Sequence, residues 1–179
     1  MNVLLISPLP PPAGGIASWT KNYMESKKAK EHNVIIVNTA VTGKRVKEYN
    51  RRNFYEELKR AYDILSGLKK QLKQKDINVV HLNSSCGRFG LIRDYLCAIA
   101  VKKNEVKLIT HFHCDVTYMV NGSMALFFFK RLVKITDIIL TLNEGSKNFT
   151  YYNCNKNSIV IPNFISCEYI SSIPVDKEI

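Results

Sequence analysis

Short apolar runs rich in β-branched residues recur along the chain, separated by stretches with helical spacing. The runs occupy residues 2–7 (NVLLIS), 33–39 (NVIIVNT), 77–83 (INVVHLN), 106–113 (VKLITHFH), 137–143 (DIILTLN) and 158–164 (SIVIPNF). They are continuous rather than alternating, the pattern of strands covered by helices on both faces. Between the second and third runs, Phe54, Leu58, Tyr62, Leu65, Leu68 and Leu72 recur in steps of three and four. That spacing predicts one apolar helical stripe with basic residues opposite. Strand and helix alternate throughout, and right-handed crossovers then give an α/β fold: a doubly wound, mostly parallel, Rossmann-like sheet of about six strands with helices on both faces. Ligands are expected beyond the carboxyl ends of its strands. Residues 40–53 read as a polar loop. No repeat or internal boundary interrupts residues 1–165, and residues 166–179 read as the start of a linker or tail.

Composition adds limits to this picture. At 179 residues and 46 % hydrophobic content, the chain can bury a core without disulfide or metal staples. Its five cysteines, Cys86, Cys97, Cys114, Cys154 and Cys167, are odd in number and form no CxxC pair, which predicts reduced thiols. The first apolar run stops at Pro8 without a basic leader, and MALFFF is far short of the roughly 18 residues a membrane span requires. Neither a signal peptide nor a transmembrane helix is expected, so the location expected is cytoplasmic.

The charge changes the picture more. Of the formal +11, most comes from Lys44 to Lys75, where eleven basic residues face four acidic ones. Such a block attracts nucleic acid, an anionic membrane surface or a phosphorylated substrate, or simply solvates a helix face. A nucleic-acid-binding module is the alternative reading this block raises. Aromatics are not interleaved on a basic face and no recognition motif is present, so no nucleic-acid partner is expected.

Four stretches carry candidate chemistry. In LLISPLPPPAGGIASW, prolines 8, 10, 11 and 12 end the first strand and predict an extended arm, which delivers Gly14 and Gly15 to a helix start. Amides there face outward with the positive end of the helix behind them, a phosphate-binding arrangement. The stretch is neither GxGxxG nor a P-loop. With Asn38 and Thr39, not an acid, ending the second strand, a dinucleotide-dependent oxidoreductase is disfavoured. HLNSSCGRFG leaves the third strand with Ser84, Ser85 and Arg88 at the ligand edge, Arg88 being a natural partner for an anion. THFHCD ends the fourth strand, with His111 and His113 on one side and Asp115 entering the loop. An HxH pair beside a carboxylate can bind zinc or iron, but the only other nearby histidine, His81, lies inside its strand, and no metal is expected. In MALFFFKRLVK, three phenylalanines precede Lys130, Arg131 and Lys134, fitting either core packing or insertion into a membrane surface.

Taken in order, PPAGG, DINVVHLNSS, VKLITHFH, TDIILTLNEGSKNF and IPNFI resemble the N-terminal, acceptor-side domain of GT-B glycosyltransferases, specifically the retaining family 4, over nearly the whole chain. The resemblance implies a hexosyltransferase-type enzyme of cell-surface polysaccharide synthesis, present here as its N-terminal portion and inactive without its donor domain. It implies a glycan or lipid-linked acceptor, a nucleotide-sugar donor held with a second domain absent from these residues, and no cofactor or metal. It places Gly14 and Gly15 near phosphates and acceptor and makes His113 the catalytic candidate. Ser84, Ser85, Arg88, Asp115 and Asn143 form the substrate-binding set, although family members often carry serine where Asn143 stands. A peripheral position on the inner face of the plasma membrane, held by Arg51, Arg52, Lys59, Lys130, Arg131 and Lys134, gives the basic residues a shared purpose.

Overall fold

A computed structural model describes residues 1–41, 54–74 and 76–164. Most of the expected polar loop, the tail beyond Phe164, Cys167, and Arg51 and Arg52 lie outside the described residues. Strands β1 (Asn2–Ser7), β2 (Asn33–Asn38), β3 (Val79–Ser84), β4 (Lys107–Phe112), β5 (Ile138–Thr141) and β6 (Ile159–Val160) form one sheet in the order β2-β1-β3-β4-β5-β6. Every pairing is parallel. The strand order reverses direction between β1 and β3, the switch point at which open α/β sheets leave a crevice beyond their carboxyl ends. Six strands stand where six apolar runs predicted them, though the last shrinks to two residues.

Helices α1 (Gly15–Glu25) and α2 (Lys27–Lys30) carry the chain from β1 outward to β2. Helices α3 (Phe54–Gln74), α4 (Arg88–Lys102), α5 (Val116–Met119), α6 (Ser123–Ile135) and α7 (Glu144–Cys154) serve the crossovers that run the other way. Right-handed connection therefore sends the two sets to opposite faces. On the larger side, α3 packs on α4 and α4 on α6. Their core joins Leu4, Ile6, Val80, Leu82, Leu108 and Phe112 of the sheet to Leu68, Leu91, Phe129 and Leu132 of the helices. Each of these large side chains contributes about 1.5–3 kcal/mol by leaving water.

Two helices depart from their predicted faces. On α3 the core takes Ile64 and Leu68, with Leu65 and Leu72 partly buried, whereas Phe54, Leu58 and Tyr62 of the same stripe are exposed. The reason is length: 21 residues of helix span about 31 Å, against about 20 Å for a six-residue strand. The amino-terminal half of α3 thus overhangs the carboxyl edge of the sheet. On α6 the phenylalanines divide. Phe129 is fully buried 5.1 Å from Phe112, and Phe128 packs against Tyr95, but Phe127 is 49 % exposed with Arg131 4.4 Å above its ring. Core packing accounts for two of the three.

The described cysteines are all free thiols. Among the described residues no helix is long and apolar enough to cross a membrane.

Candidate functional site

Period-two alternation puts His81 and Asn83 of β3 on the same face as His111 of β4, and parallel register sets Asn83 opposite His111. His113, one residue past β4, extends that row and is tied down by its amide, which donates to the Ser84 carbonyl at 2.8 Å. Helix α1 lowers Trp19 onto the row. The indole lies 5.6 Å from His81, 5.5 Å from His111 and 4.8 Å from His113, all edge-on, with Tyr23 stacked at 5.1 Å and Phe164 at 5.8 Å. The His111 and His113 rings are 3.8 Å apart.

Burial in this aromatic layer disfavours the charged imidazolium. It pushes the His81 pKa down to about 4 and His111 to about 3, with repulsion from neighbouring histidines adding to the effect. His113 falls to about 4 by burial, against a hydrogen bond to Asn163 that favours the charged form. All three rings are neutral at pH 7. Neither nitrogen of His111 has a hydrogen-bond partner among the described residues, nor does His81 Nε2. His81 and His111 stack at 22° rather than converge, and the described residues contain no group of three or more side chains arranged to hold a metal.

A chain of hydrogen bonds runs from His113 into α1. Thr20 Oγ1 donates to the Ile16 carbonyl at 2.8 Å, so it must accept from Ser7 Oγ at 2.6 Å. Ser7 Oγ in turn accepts from Asn83 Nδ2 at 2.9 Å, which leaves Asn83 Oδ1 as the acceptor for His113 Nε2 at 3.0 Å. With each hydroxyl proton committed, the direction of the relay is fixed, and His113 carries its proton on Nε2 and a lone pair on Nδ1. Ser7, Thr20 and Asn83 are all buried. Their mutual satisfaction is what makes so polar a seam tolerable there.

Next to this relay, at the β1/β3 switch point, lies a cleft of about 270 Å3 lined by Gly14, Gly15, Asn83, Ser85, Arg60 and Arg93, among others. Residues 10–12 bend, with cis peptides at Pro10-Pro11 and Pro11-Pro12, rather than running as the expected extended arm. They still deliver the glycines to the helix start. Gly14 is the N-cap of α1 in an extended conformation and offers no side-chain acceptor, so the first-turn amides stay available to a ligand. An added Cβ on either glycine would meet nothing within 4 Å. Backbone geometry therefore does not demand glycine here, and open space is what these residues contribute. A larger cavity, about 610 Å3 between β2 and α3, includes Lys59. It flanks an edge strand rather than the switch point.

The remaining expected residues are dispersed. Ser84 is buried behind the cleft and its hydroxyl accepts from the Cys86 amide. Arg88 is exposed at the start of α4 and does not line the cleft. Asp115 caps α5, accepting from the Thr117 amide and hydroxyl, which holds its carboxyl below the usual range. Asn143 caps α7 through Ser146. Lys130, Arg131 and Lys134 share the exposed side of α6. Sequence reasoning passed over Ser7, Thr20, Trp19, Arg60, Asn83 and Arg93. For Asn83 a signal was present, since it lies two residues after His81 on a strand that ends at the ligand edge.

No family model and no curated protein matches the sequence. Among solved structures, the crystal structure of Anabaena Alr3699/HepE in complex with UDP is similar at 11 % identity and a TM-score of 0.54, covering 93 % of this chain and 45 % of that one. The same protein in complex with UDP and glucose is similar at 12 % identity and a TM-score of 0.53, with the same coverage. The chain thus spans less than half the length of the structures it matches, and what it shares with them is the fold, a Rossmann-type α/β unit matching one part of a larger protein.

Proposed function

We propose that these residues form the acceptor-binding half of a retaining, family 4-like GT-B glycosyltransferase. Its nucleotide-sugar donor is bound largely by a second half outside the sequence, and the product is a cell-surface glycan. The observation that carries the reading is the switch-point cleft, where the uncapped start of α1 and its two glycines stand beside the Asn83–His113 relay. Likeness in fold to a protein crystallised with UDP and with UDP and glucose supports the nucleotide-sugar part.

The relay supports a positioning role for His113. With its Nε2 proton held by Asn83, the imidazole is oriented to hydrogen-bond a sugar hydroxyl and so to align the reacting sugar. Helix-start amides stabilise negative charge developing on a leaving or neighbouring phosphate. Neither role calls for a metal. The exposed Phe127 and Met124, next to Lys130, Arg131 and Lys134, support docking on an anionic membrane where a lipid-linked acceptor resides.

The test is binding by the 179-residue chain to a panel of glycans and lipid-linked sugars, alongside UDP-glucose turnover. Acceptor binding that His113→Ala reduces at least tenfold, with turnover near background, is the expected result. Turnover at an ordinary enzymatic rate by this chain alone would falsify the half-enzyme reading. Salt-sensitive binding to RNA or DNA without any acceptor binding would favour the nucleic-acid module instead.

A further inference from the structure

We propose that Cys86 and Cys114, set against one another where the chain leaves β3 and β4, form an oxidation site that a hydroperoxide converts into a disulfide. This chemistry belongs to the scaffold under the cleft and is independent of what the cleft binds. Parallel register pairs Asn83 with His111 and Ser84 with Phe112. The His113 amide, donating to the Ser84 carbonyl at 2.8 Å, carries the ladder one residue further. Cys86 stands two residues beyond Ser84 and Cys114 two beyond Phe112, so the same offset sets the cysteines opposite each other. Neighbouring strands run about 4.8 Å apart, inside the roughly 4.4–6.8 Å between Cα atoms that a disulfide spans. Period two also puts both on the side of Leu82 and Phe112, away from the histidine row. Cys86 belongs to that apolar core and Cys114 packs against it. There the two thiols meet as hydrogen-bonding neighbours.

Their surroundings give the two sulfurs different parts. Cys86 is 1 % exposed and its backbone takes a φ of 56°, a left-handed conformation unfavourable for a residue with a Cβ. It is held there by its amide, which donates to Ser84 Oγ at 3.3 Å. Burial first, then the hydrogen bond and charge of Cys114, push the Cys86 thiol well above its ordinary value, so it stays protonated at pH 7. Cys114 is only half-buried and is the sulfur that a small oxidant reaches. Its Sγ takes the terminal oxygen of the hydroperoxide as the O–O bond breaks, giving a sulfenic acid, and its proton leaves with the other oxygen as water or an alcohol. Cys86 Sγ then attacks Cys114 Sγ: the S–O bond breaks, the S–S bond forms, and the released oxygen leaves as water with the Cys86 proton. Two electrons pass from the thiols to the peroxide. The new bond ties together the turns that carry Ser85 of the cleft and His113 of the relay, each the chain neighbour of one cysteine.

Peptide mapping tests the site. The 179-residue chain is treated with a small excess of hydrogen peroxide, capped with N-ethylmaleimide in urea, and digested with trypsin without reduction. Cleavage after Lys75, Arg88, Lys107 and Lys130 isolates Cys86 in peptide 76–88 and Cys114 in peptide 108–130, apart from Cys97 in peptide 94–102. The expected product from monomeric protein is the first two peptides joined, two hydrogens lighter than their sum, and separated again by dithiothreitol. Cys86→Ala should leave Cys114 as a sulfenic acid that dimedone traps. Cys114→Ser should leave Cys86 as a thiol, and Cys154→Ser, on α7, should give the joined peptides as the wild type does. Three results would overturn the assignment: both cysteines still capped after peroxide, Cys114 carried to sulfinic acid with Cys86 left as a thiol, or the joined peptides found only in disulfide-linked dimers. Should Cys86→Ala fail to fold, the wild-type map and Cys114→Ser decide between them.

Discussion

Acidification from pH 7 to pH 5 should remove a large part of the stability of this fold, and His111→Phe should restore a third of the loss. The three stacked imidazoles have folded-state pKa values of about 4, 3 and 4, while an unfolded chain protonates histidine near 6.5. Because the folded values are the lower ones, the unfolded state binds more protons throughout the interval between them. Stability is fully present above about pH 6.5, falls as the pH drops below it, and stops falling once the folded values are passed, near pH 4 for His81 and His113 and near pH 3 for His111. At pH 5 each histidine is about 1.5 units below its unfolded value, a loss of about 2 kcal/mol. Three rings give about 6 kcal/mol, comparable with the roughly 5–15 kcal/mol that holds an ordinary domain together. Asp115 and Asp137, whose carboxyl groups are held below the usual range by hydrogen bonds and, for Asp137, the Lys102 charge, lose their contributions only below about pH 4, outside this window. Urea unfolding followed by fluorescence of Trp19, the one tryptophan in the chain, reads the loss directly. His111 suits substitution because neither of its nitrogens has a partner to lose among the described residues. The added bulk of phenylalanine costs about 1–3 kcal/mol, but that cost is the same at both pH values and cancels in the comparison. A wild-type unfolding midpoint that stays level from pH 7 to pH 5, or a His111→Phe slope equal to the wild-type slope, would refute the reasoning.

Three further outcomes follow from the same geometry. Asn83→Ala removes the hydrogen bonds to Ser7 and His113 and should cost about 2–3 kcal/mol in urea; an unchanged midpoint would mean the relay is not a structural tie. Gly15→Ala places a methyl in open space at a helix position where alanine is favoured by up to about 1 kcal/mol, so its melting temperature should hold or rise. A drop of several degrees would show that the space is filled. Replacing Lys130, Arg131 and Lys134 together by glutamine should lower partitioning onto phosphatidylserine vesicles about a hundredfold, taking about 1 kcal/mol per charge. Equal binding to neutral and anionic vesicles before mutation would dispose of the membrane reading.

Much of the sheet is legible in the sequence because strands covered on both faces must be apolar along their whole length, and runs such as VLLI and NVVHL can satisfy little else. The glycine loop and His113 are legible for a related reason: a chain that leaves a parallel strand has to turn at the carboxyl edge. What could not be read is which residues meet across strands. His81, taken as an interior strand residue away from the chemistry, joins His111 only through the register that pairs β3 with β4. Trp19 reaches both from a helix with no local mark of its destination. Arg93 illustrates the same limit from the other side. Within HLNSSCGRFG, Arg88 looks like the anion partner because it starts the helix, but one and a half turns later the helix surface has rotated, and Arg93 is the residue on the cleft side. Phe54, Leu58 and Tyr62 keep perfect helical spacing, yet spacing does not tell how far a helix outruns its sheet.

The all-parallel sheet also governs the order in which the molecule can be made. β1 is synthesised before the other five strands and lies inside the strand order, next to the edge strand β2, and its partner Val79 emerges about 75 residues after Val3. At roughly 5–20 residues per second, this interior strand spends about 4–15 seconds outside the ribosome with one of its edges unpaired. Among the described residues no hairpin is available to shield it in the meantime, because all the strand pairings there are parallel. During that interval VLLI is an apolar segment open to any other strand it meets. Synthesis in the cell should therefore reward slow initiation and prompt chaperone capture, with codon changes between Asn38 and Val79 altering soluble yield more than those after Thr141.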